Sequence, residues 1–259
     1  MKEAEMDSNF LNTFTRKWTH YFPGEELPLA AFYSDELHGA DFPEKPKENN
    51  RGYTCIFSQM APVRAGKPRA FNQDNFGCPG ATGTLGFGTP PTEEEVEHMI
   101  DFLTQVERFK KNRACVQGMM MTNPPKPAQG KYLVFKRWDQ LTPEDHPQVI
   151  TFFCTPDALA GLHTLANYDL VDPNGGAIAP FGSGCDGVIG FAMKELESEN
   201  PRAVLGLFDP PARGCVKQGL MSISIPLPRL ETMVGNMDDC FLNTYIWEKI
   251  KKRMVAPKK

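Results

Sequence analysis

A mixed β-sheet flanked by helical layers, of the α/β or α+β class, is the fold this sequence predicts. Three observations carry the prediction. Short runs rich in β-branched and aromatic residues recur: KYLVFKRW (131–138), QVITFFC (148–154), AVLGLF (203–208) and LMSISI (220–225). Between and around them lie segments with explicit helix-start chemistry, so strands and helices alternate along the chain. No Pro/Gly/Ser-rich linker divides the 259 residues, which therefore read as one domain, 1–259.

Taken in order, SNFLNTFTRKWT (8–19) reads as a helix closed by Pro23-Gly24, and LAAFY (29–33) as a short strand. The polar stretch HGADFPEKPKENNRG reads as a loop. Tyr53 to Met60 reads as a strand or a helix start, which periodicity does not decide. Pro91-Thr92-Glu93-Glu94-Glu95 opens a helix through about Arg108, with Thr92 and Glu95 forming a capping box. Its predicted apolar stripe is Val96, Met99, Ile100, Phe102 and Leu103. After the strand ending at Cys154, Thr155-Pro156-Asp157 supplies a cap, a first-turn proline and a first-turn acid for ALAGLHTLANY. PLPRLETMV and CFLNTYIWEKIKKRM supply the last helices.

Composition bounds the function. A net charge of −4 argues against a general nucleic-acid binder. The basic run Lys249, Lys251, Lys252, Arg253, Lys258 and Lys259 reads as a solvated helix end. No apolar run approaches the ~20 residues of a membrane span, and the polar N-terminus lacks a signal-peptide core. A cytoplasmic protein without membrane partners is expected. Its seven cysteines are then expected to be reduced thiols, not disulfides. No C-x-x-C or H-E-x-x-H element indicates a zinc site.

The most informative feature is a repeated pattern, G-C-x-G-x-x-G. It occurs as Gly77-Cys78-Pro79-Gly80-Ala81-Thr82-Gly83 and as Gly184-Cys185-Asp186-Gly187-Val188-Ile189-Gly190. Each reads as a glycine turn entering a helix. A thiol there lies near the positive helix end, which favours thiolate, and the exposed N–H groups could hold an anion. A duplicated unit, hence an internal pseudo-repeat, would explain the pair and would bring both cysteines to one pocket with Asp209 or Arg213 on its wall. The competing reading is that the glycines only let helices pack closely around two small buried cysteines. The pattern is not the dinucleotide fingerprint G-x-G-x-x-G, and neither copy follows an evident strand.

Five other residues read more simply. Cys154 reads as a core residue, His163 as a satisfied, partly buried histidine, and Met119-Met120-Met121 as filler of irregular space, since three consecutive residues cannot share one face.

The segments CIFSQM, NFGCPGATGTLGFG, VITFFCTPDALAGLHTLANYD, GSGCDGVIGFAM, AVLGLFDPPAR and ISIPLPRLETMV together resemble the domain of unknown function 169 family, also labelled ArCR, of archaea and bacteria. The resemblance spans about residues 27–235, leaving helical extensions at both ends. It implies that Cys55, Cys78 and Cys185 stand where such proteins place cysteines. The family's later G-C-x-G-x-R element corresponds to Gly206–Arg213, where Asp209 or Phe208 replaces the cysteine, a departure that counts against a four-thiolate cluster.

Two classes of function follow. In one, Cys55, Cys78 and Cys185 bind an iron–sulfur cluster, another thiolate-held metal or a redox cofactor. In the other, Gly77, Gly80, Gly184 and Gly187 shape an anion or small-molecule pocket in a non-enzymatic accessory module. A cysteine hydrolase is a weaker third reading, because no histidine–acid partner can be assigned to a cysteine.

Overall fold

In the computed structural model the described residues are 7–43 and 55–255. Among the described residues, seven strands form one sheet in the order β2-β3-β1-β4-β7-β6-β5. They are β1 (Leu29–Ser34), β2 (Arg69–Phe71), β3 (Tyr132–Arg137), β4 (Val149–Cys154), β5 (Ala177–Ile178), β6 (Ala203–Gly206) and β7 (Met221–Pro226). Every pairing is antiparallel except β5 with β6, so the sheet is mixed and the class is α+β.

Ten α-helices among the described residues surround it: α1 (Ser8–Tyr21), α2 (Ile56–Arg64), α3 (Pro79–Thr84), α4 (Glu93–Asp101), α5 (Arg113–Thr122), α6 (Pro156–Leu165), α7 (Phe191–Glu195), α8 (Pro210–Arg213), α9 (Leu227–Asn236) and α10 (Tyr245–Met254). A five-residue π-helical turn, Asp186–Gly190, leads into α7.

Period-2 alternation sorts the strand side chains onto two faces. Ala30, Phe32, Val134, Ile150, Phe152, Cys154, Ile223 and Ile225 point to one face, under α1, α6, α9 and α10. Helix α1 fits because Phe10, Leu11, Phe14 and Trp18 recur at helical spacing. The Phe14 ring lies 4.3 Å from Trp138 and the Trp18 ring 4.9 Å from Phe152, centroid to centroid. Burying each such side chain contributes about 1.5–3 kcal/mol. Leu29, Ala31, Leu133, Phe135 and Phe153 point to the other face, under α2, α3 and the segment that carries Cys185.

The capping box at Thr92 and Glu95 is present, and the Thr155 hydroxyl accepts from the Ala158 N–H. Three expectations are corrected. Of the α4 stripe only Ile100 is buried, and the helix continues as a π-helical turn at Phe102–Val106 in which Phe102 is exposed. Met119-Met120-Met121 lies in a regular helix, α5, with Met121 facing solvent. His163 is exposed on α6, not partly buried. The stretch 44–54, which contains most of the predicted loop and the beginning of the Tyr53–Met60 segment, lies outside the described residues, as do Lys258 and Lys259. From Ile56 onward the ambiguous segment is helical.

The turn that follows α6 is clamped to α9 by an ion pair. The Arg229 guanidinium, largely buried, donates to Asp169 (Nη1 to Oδ2, 3.0 Å) and to the Ala166 carbonyl (2.8 Å). Those bonds hold the Asp169 carboxyl below the usual carboxylate range. A depressed carboxyl stabilises the fold above its unfolded value of about 3.9 and loses that contribution as pH falls through the folded value. The denaturation midpoint of wild type should therefore drop more steeply below about pH 4 than that of Arg229→Leu, measured as a pH series. Parallel curves would show that the pair adds no acid sensitivity.

Candidate functional site

Both glycine–cysteine turns begin helices, as the sequence predicts. Cys78 is the residue immediately before α3, and Pro79 occupies its first position. Gly77 has a φ of 64°, a left-handed conformation that favours glycine. In the second turn Ser183 and Asp186 form a reciprocal cap. The Asp186 N–H donates to Ser183 Oγ and the Ser183 N–H to Asp186 Oδ2, both at 3.2 Å. Cys185 thus sits in the first helical turn. Cys55 immediately precedes α2, so three thiols occupy three helix starts.

The sequence misses a strand ahead of each turn, because β2 and β5 are only three and two residues long. Phe71 to Cys78 and Ile178 to Cys185 are each seven residues, and β2 and β5 are the two edges of the sheet. The likeness is one of spacing: β2 pairs antiparallel with β3, whereas β5 pairs parallel with β6. An internal pseudo-repeat accordingly rests on the sequence pattern.

Cys55, Cys78 and Cys185 pack into the same apolar cluster with Phe57, Ala81, Leu207 and Ala212. Cys55 and Cys78 are near enough to Cys185, and Cys215 and Cys78 to Cys55, to add to the upward push that burial gives each thiol. Cys215 is the residue that the sequence reading overlooked. It lies two positions past Arg213, and Gly214-Cys215 is a third Gly-Cys dipeptide, which is the signal that could have drawn attention to it. All seven cysteines are unpaired thiols. Cys154 and Cys240 are buried in the cluster on the other face of the sheet, and Cys115 is exposed on α5.

The glycines have distinct reasons. A Cβ on Gly184 would meet Phe57 at 2.6 Å and Ala212 at 2.8 Å, so glycine lets α2 and α8 close over the Cys185 turn. Gly187 lies against the backbone of Gly206 on β6. Gly80 meets only Cys78 Sγ, at 3.8 Å, and is not required by space. Below this turn, the hydroxyls of Thr151 (3.2 Å) and Ser224 (2.6 Å) both donate to the Val188 carbonyl, tying the π-helical turn to the sheet. Two of the polar strand residues on this face are explained by that one carbonyl, whereas Ser222 on the same face is buried with its hydroxyl unpartnered.

Asp209 joins the site and Arg213 does not face it. Asp209 Oδ2 accepts from the Gly184 N–H at 2.8 Å, while its Oδ1 is buried without a hydrogen-bond partner. Leu207, two residues earlier, is held at a φ of 64°, a strained left-handed conformation that reverses the chain after β6. The Arg213 guanidinium donates to the Leu220 carbonyl at 2.6 Å and so fastens the loop before β7.

Burial, not the helix ends, governs the thiols. It pushes Cys185 well above the ordinary cysteine value and raises Cys55 as well. The expectation of a helix-stabilised thiolate is therefore corrected for Cys185: desolvation outweighs the partial positive charge of the helix start. Burial likewise raises the Asp186 and Asp209 carboxyls. Among the described residues, no three His, Cys, Asp or Glu side chains are grouped so as to hold one metal ion.

The fold and this site define an α+β protein with one buried and two half-buried thiols gathered at helix starts. The matching family model, described as Uncharacterised ArCR, covers residues 24–236. The chain belongs to that domain of unknown function 169 family. No match was found among curated proteins or solved structures. No helix among the described residues is long and apolar enough to cross a membrane.

Proposed function

We propose that the chain binds a thiolate-held, multi-atom redox cofactor, an iron–sulfur cluster by preference, at Cys55, Cys78 and Cys185, with Cys215 as a fourth thiol within reach. The observation that carries this reading is the convergence of Cys55, Cys78 and Cys185 from separate segments onto one apolar cluster. Core packing alone would not require thiols at three helix starts. A cluster suits the arrangement better than a lone ion, because its sulfur ligands need not meet at one centre. The buried, unpartnered Asp209 Oδ1 is a further group that a ligand could satisfy. When bound, such a cofactor would supply one-electron chemistry, and the protein's part would be to hold it away from water.

The anion-binding alternative draws less support at the second turn. The Gly184 N–H that would face an anion is already taken by Asp209, and a carboxylate beside it repels negative charge.

The test is anaerobic purification after iron and sulfide reconstitution, read by visible absorption and by iron and acid-labile sulfide content. Wild type is expected to acquire colour with iron and sulfide in matching amounts. Cys78→Ser and Cys185→Ser should each lose most of it, while the exposed Cys115→Ser keeps it. A colourless wild type, or equal loading of all three variants, would leave glycine-assisted packing as the role of these turns.

A further inference from the structure

On the sheet face opposite the thiols, the end of β1 and its following loop carry a second constellation. Ser34 Oγ lies 2.8 Å from His38 Nε2, and His38 Nδ1 lies 2.9 Å from Asp145 Oδ1. Asp145 is fully buried, and its carboxylate also accepts from the Thr142 N–H at 2.8 Å and from Lys136 Nζ at 2.9 and 2.8 Å. Because that carboxylate is an acceptor throughout, the network assigns the ring proton to Nδ1. Nε2 is then the acceptor for the Ser34 hydroxyl.

The loop is shaped to make this contact. Alternation places Ser34 on the same face as Ala30 and Phe32, while His38 (φ 49°) and Gly39 (φ 72°) turn the chain back so that the ring reaches Ser34. A non-glycine residue in that region is a strained position of the sort that collects at functional sites. The constellation opens into a cavity of about 700 Å³, lined by Tyr33, Ser34, Glu36, His38, Glu144 and His146 among others. That volume lies within the range of small-molecule sites.

We infer that Ser34, His38 and Asp145 form an acyl-transfer site that hydrolyses small carboxylic esters. Ser34 is the nucleophile, His38 the general base and Asp145 the positioning residue, the roles that this hydrogen-bond order assigns. Ser34 Oγ attacks the ester carbonyl carbon as its proton passes to His38 Nε2. The ester C–O bond breaks, and the alcohol leaves with that proton, giving an acyl-serine. Water then attacks the acyl carbon, yields its proton to His38, and the carboxylic acid leaves as Ser34 regains a proton. The Glu36 N–H, 3.0 Å from Ser34 Oγ, is a backbone donor beside the reacting atoms. Asp35, Glu36 and Glu144 are exposed at the rim, so the favoured ester is uncharged or cationic. Lys136 shares the Asp145 carboxylate and leaves less of its charge to stabilise an imidazolium. Turnover is accordingly expected to be slow, and covalent capture is the more sensitive readout.

The experiment incubates folded wild-type protein with a fluorophosphonate probe and maps the adduct by peptide mass spectrometry, alongside p-nitrophenyl acetate hydrolysis. The expected adduct is on Ser34. Ser34→Ala should abolish it and lower hydrolysis about 100-fold, and His38→Gln should do the same. Asp145→Asn should lower kcat with KM little changed, a split that a purely structural role would not produce. Should the variants fail to fold, the wild-type adduct decides alone. Folded wild type without a Ser34 adduct overturns the assignment, as does a folded Ser34→Ala that hydrolyses the ester at the wild-type rate. Cys78→Ser is expected to retain the adduct, so this result stands apart from the thiol site.

Discussion

Asp145→Ala is expected to destabilise the protein by about 3–5 kcal/mol, the cost of leaving one partner of a buried ion pair uncompensated. Asp145 is wholly enclosed and Lys136 is 5% exposed, so water cannot take over when the carboxylate is removed. Lys136 Nζ would lose both of its acceptor contacts with Asp145, and the Thr142 N–H and His38 Nδ1 would lose theirs. For a chain of this size the melting temperature should fall on the order of 10 °C. The paired replacement Lys136→Met with Asp145→Leu should recover much of the loss, because exchanging both charges for apolar groups is often neutral. Calorimetry of the two variants checks both halves of the argument. A single variant within 1 kcal/mol of wild type would mean that water reaches the pair.

How much of this was legible in the sequence follows from the range over which each signal acts. Strands β3, β4, β6 and β7 were readable as short apolar or alternating runs, and β4 has five β-branched or aromatic residues in a row. Helices α1, α4, α6, α9 and α10 were readable from local caps and apolar segments. Strands β2 and β5 were not, since two or three residues cannot display a period, and their pairing with distant strands is what makes them strands. Helix α2 stayed ambiguous because its sequence is apolar on several sides and contains Pro62.

The site was legible in the same uneven way. The glycine–cysteine turns and their helix starts are local patterns. The S-x-x-D cap at Ser183 and Asp186 is local too and could have been read. The bond from Gly184 to Asp209 spans twenty-five residues, and the Asp145 contact with His38 joins segments that the pairing of β1 with β3 and β4 brings together. No spacing rule encodes either. Thiol ionisation was misjudged for a related reason: the helix end is visible in sequence, whereas the depth of burial is a tertiary property.

Gly206→Ala is expected to cost about 1–3 kcal/mol, the usual range for overpacking a well-filled interior, and to loosen the thiol site at the same time. A Cβ at this position would stand 2.5 Å from the Gly187 carbonyl oxygen and 2.7 Å from Ser222 Oγ. The nearest obstacle is backbone, so no rotamer change relieves it; the segment bearing Cys185 must move away from β6. That movement is opposed from beneath, where Thr151 and Ser224 grip the Val188 carbonyl, and from above, where Phe57 and Ala212 close on Gly184. Strain should therefore be released by partial detachment of the π-helical turn. Cys185, 8% exposed in the native fold, would then become accessible. Timed alkylation followed by peptide mapping should show Cys115 and Cys215, both exposed, reacting first in either protein, with Cys185 reacting faster in the variant. Unchanged stability together with unchanged Cys185 labelling would mean that the two backbones can separate freely, and that Gly187 and Gly206 are not what sets the depth of the thiol.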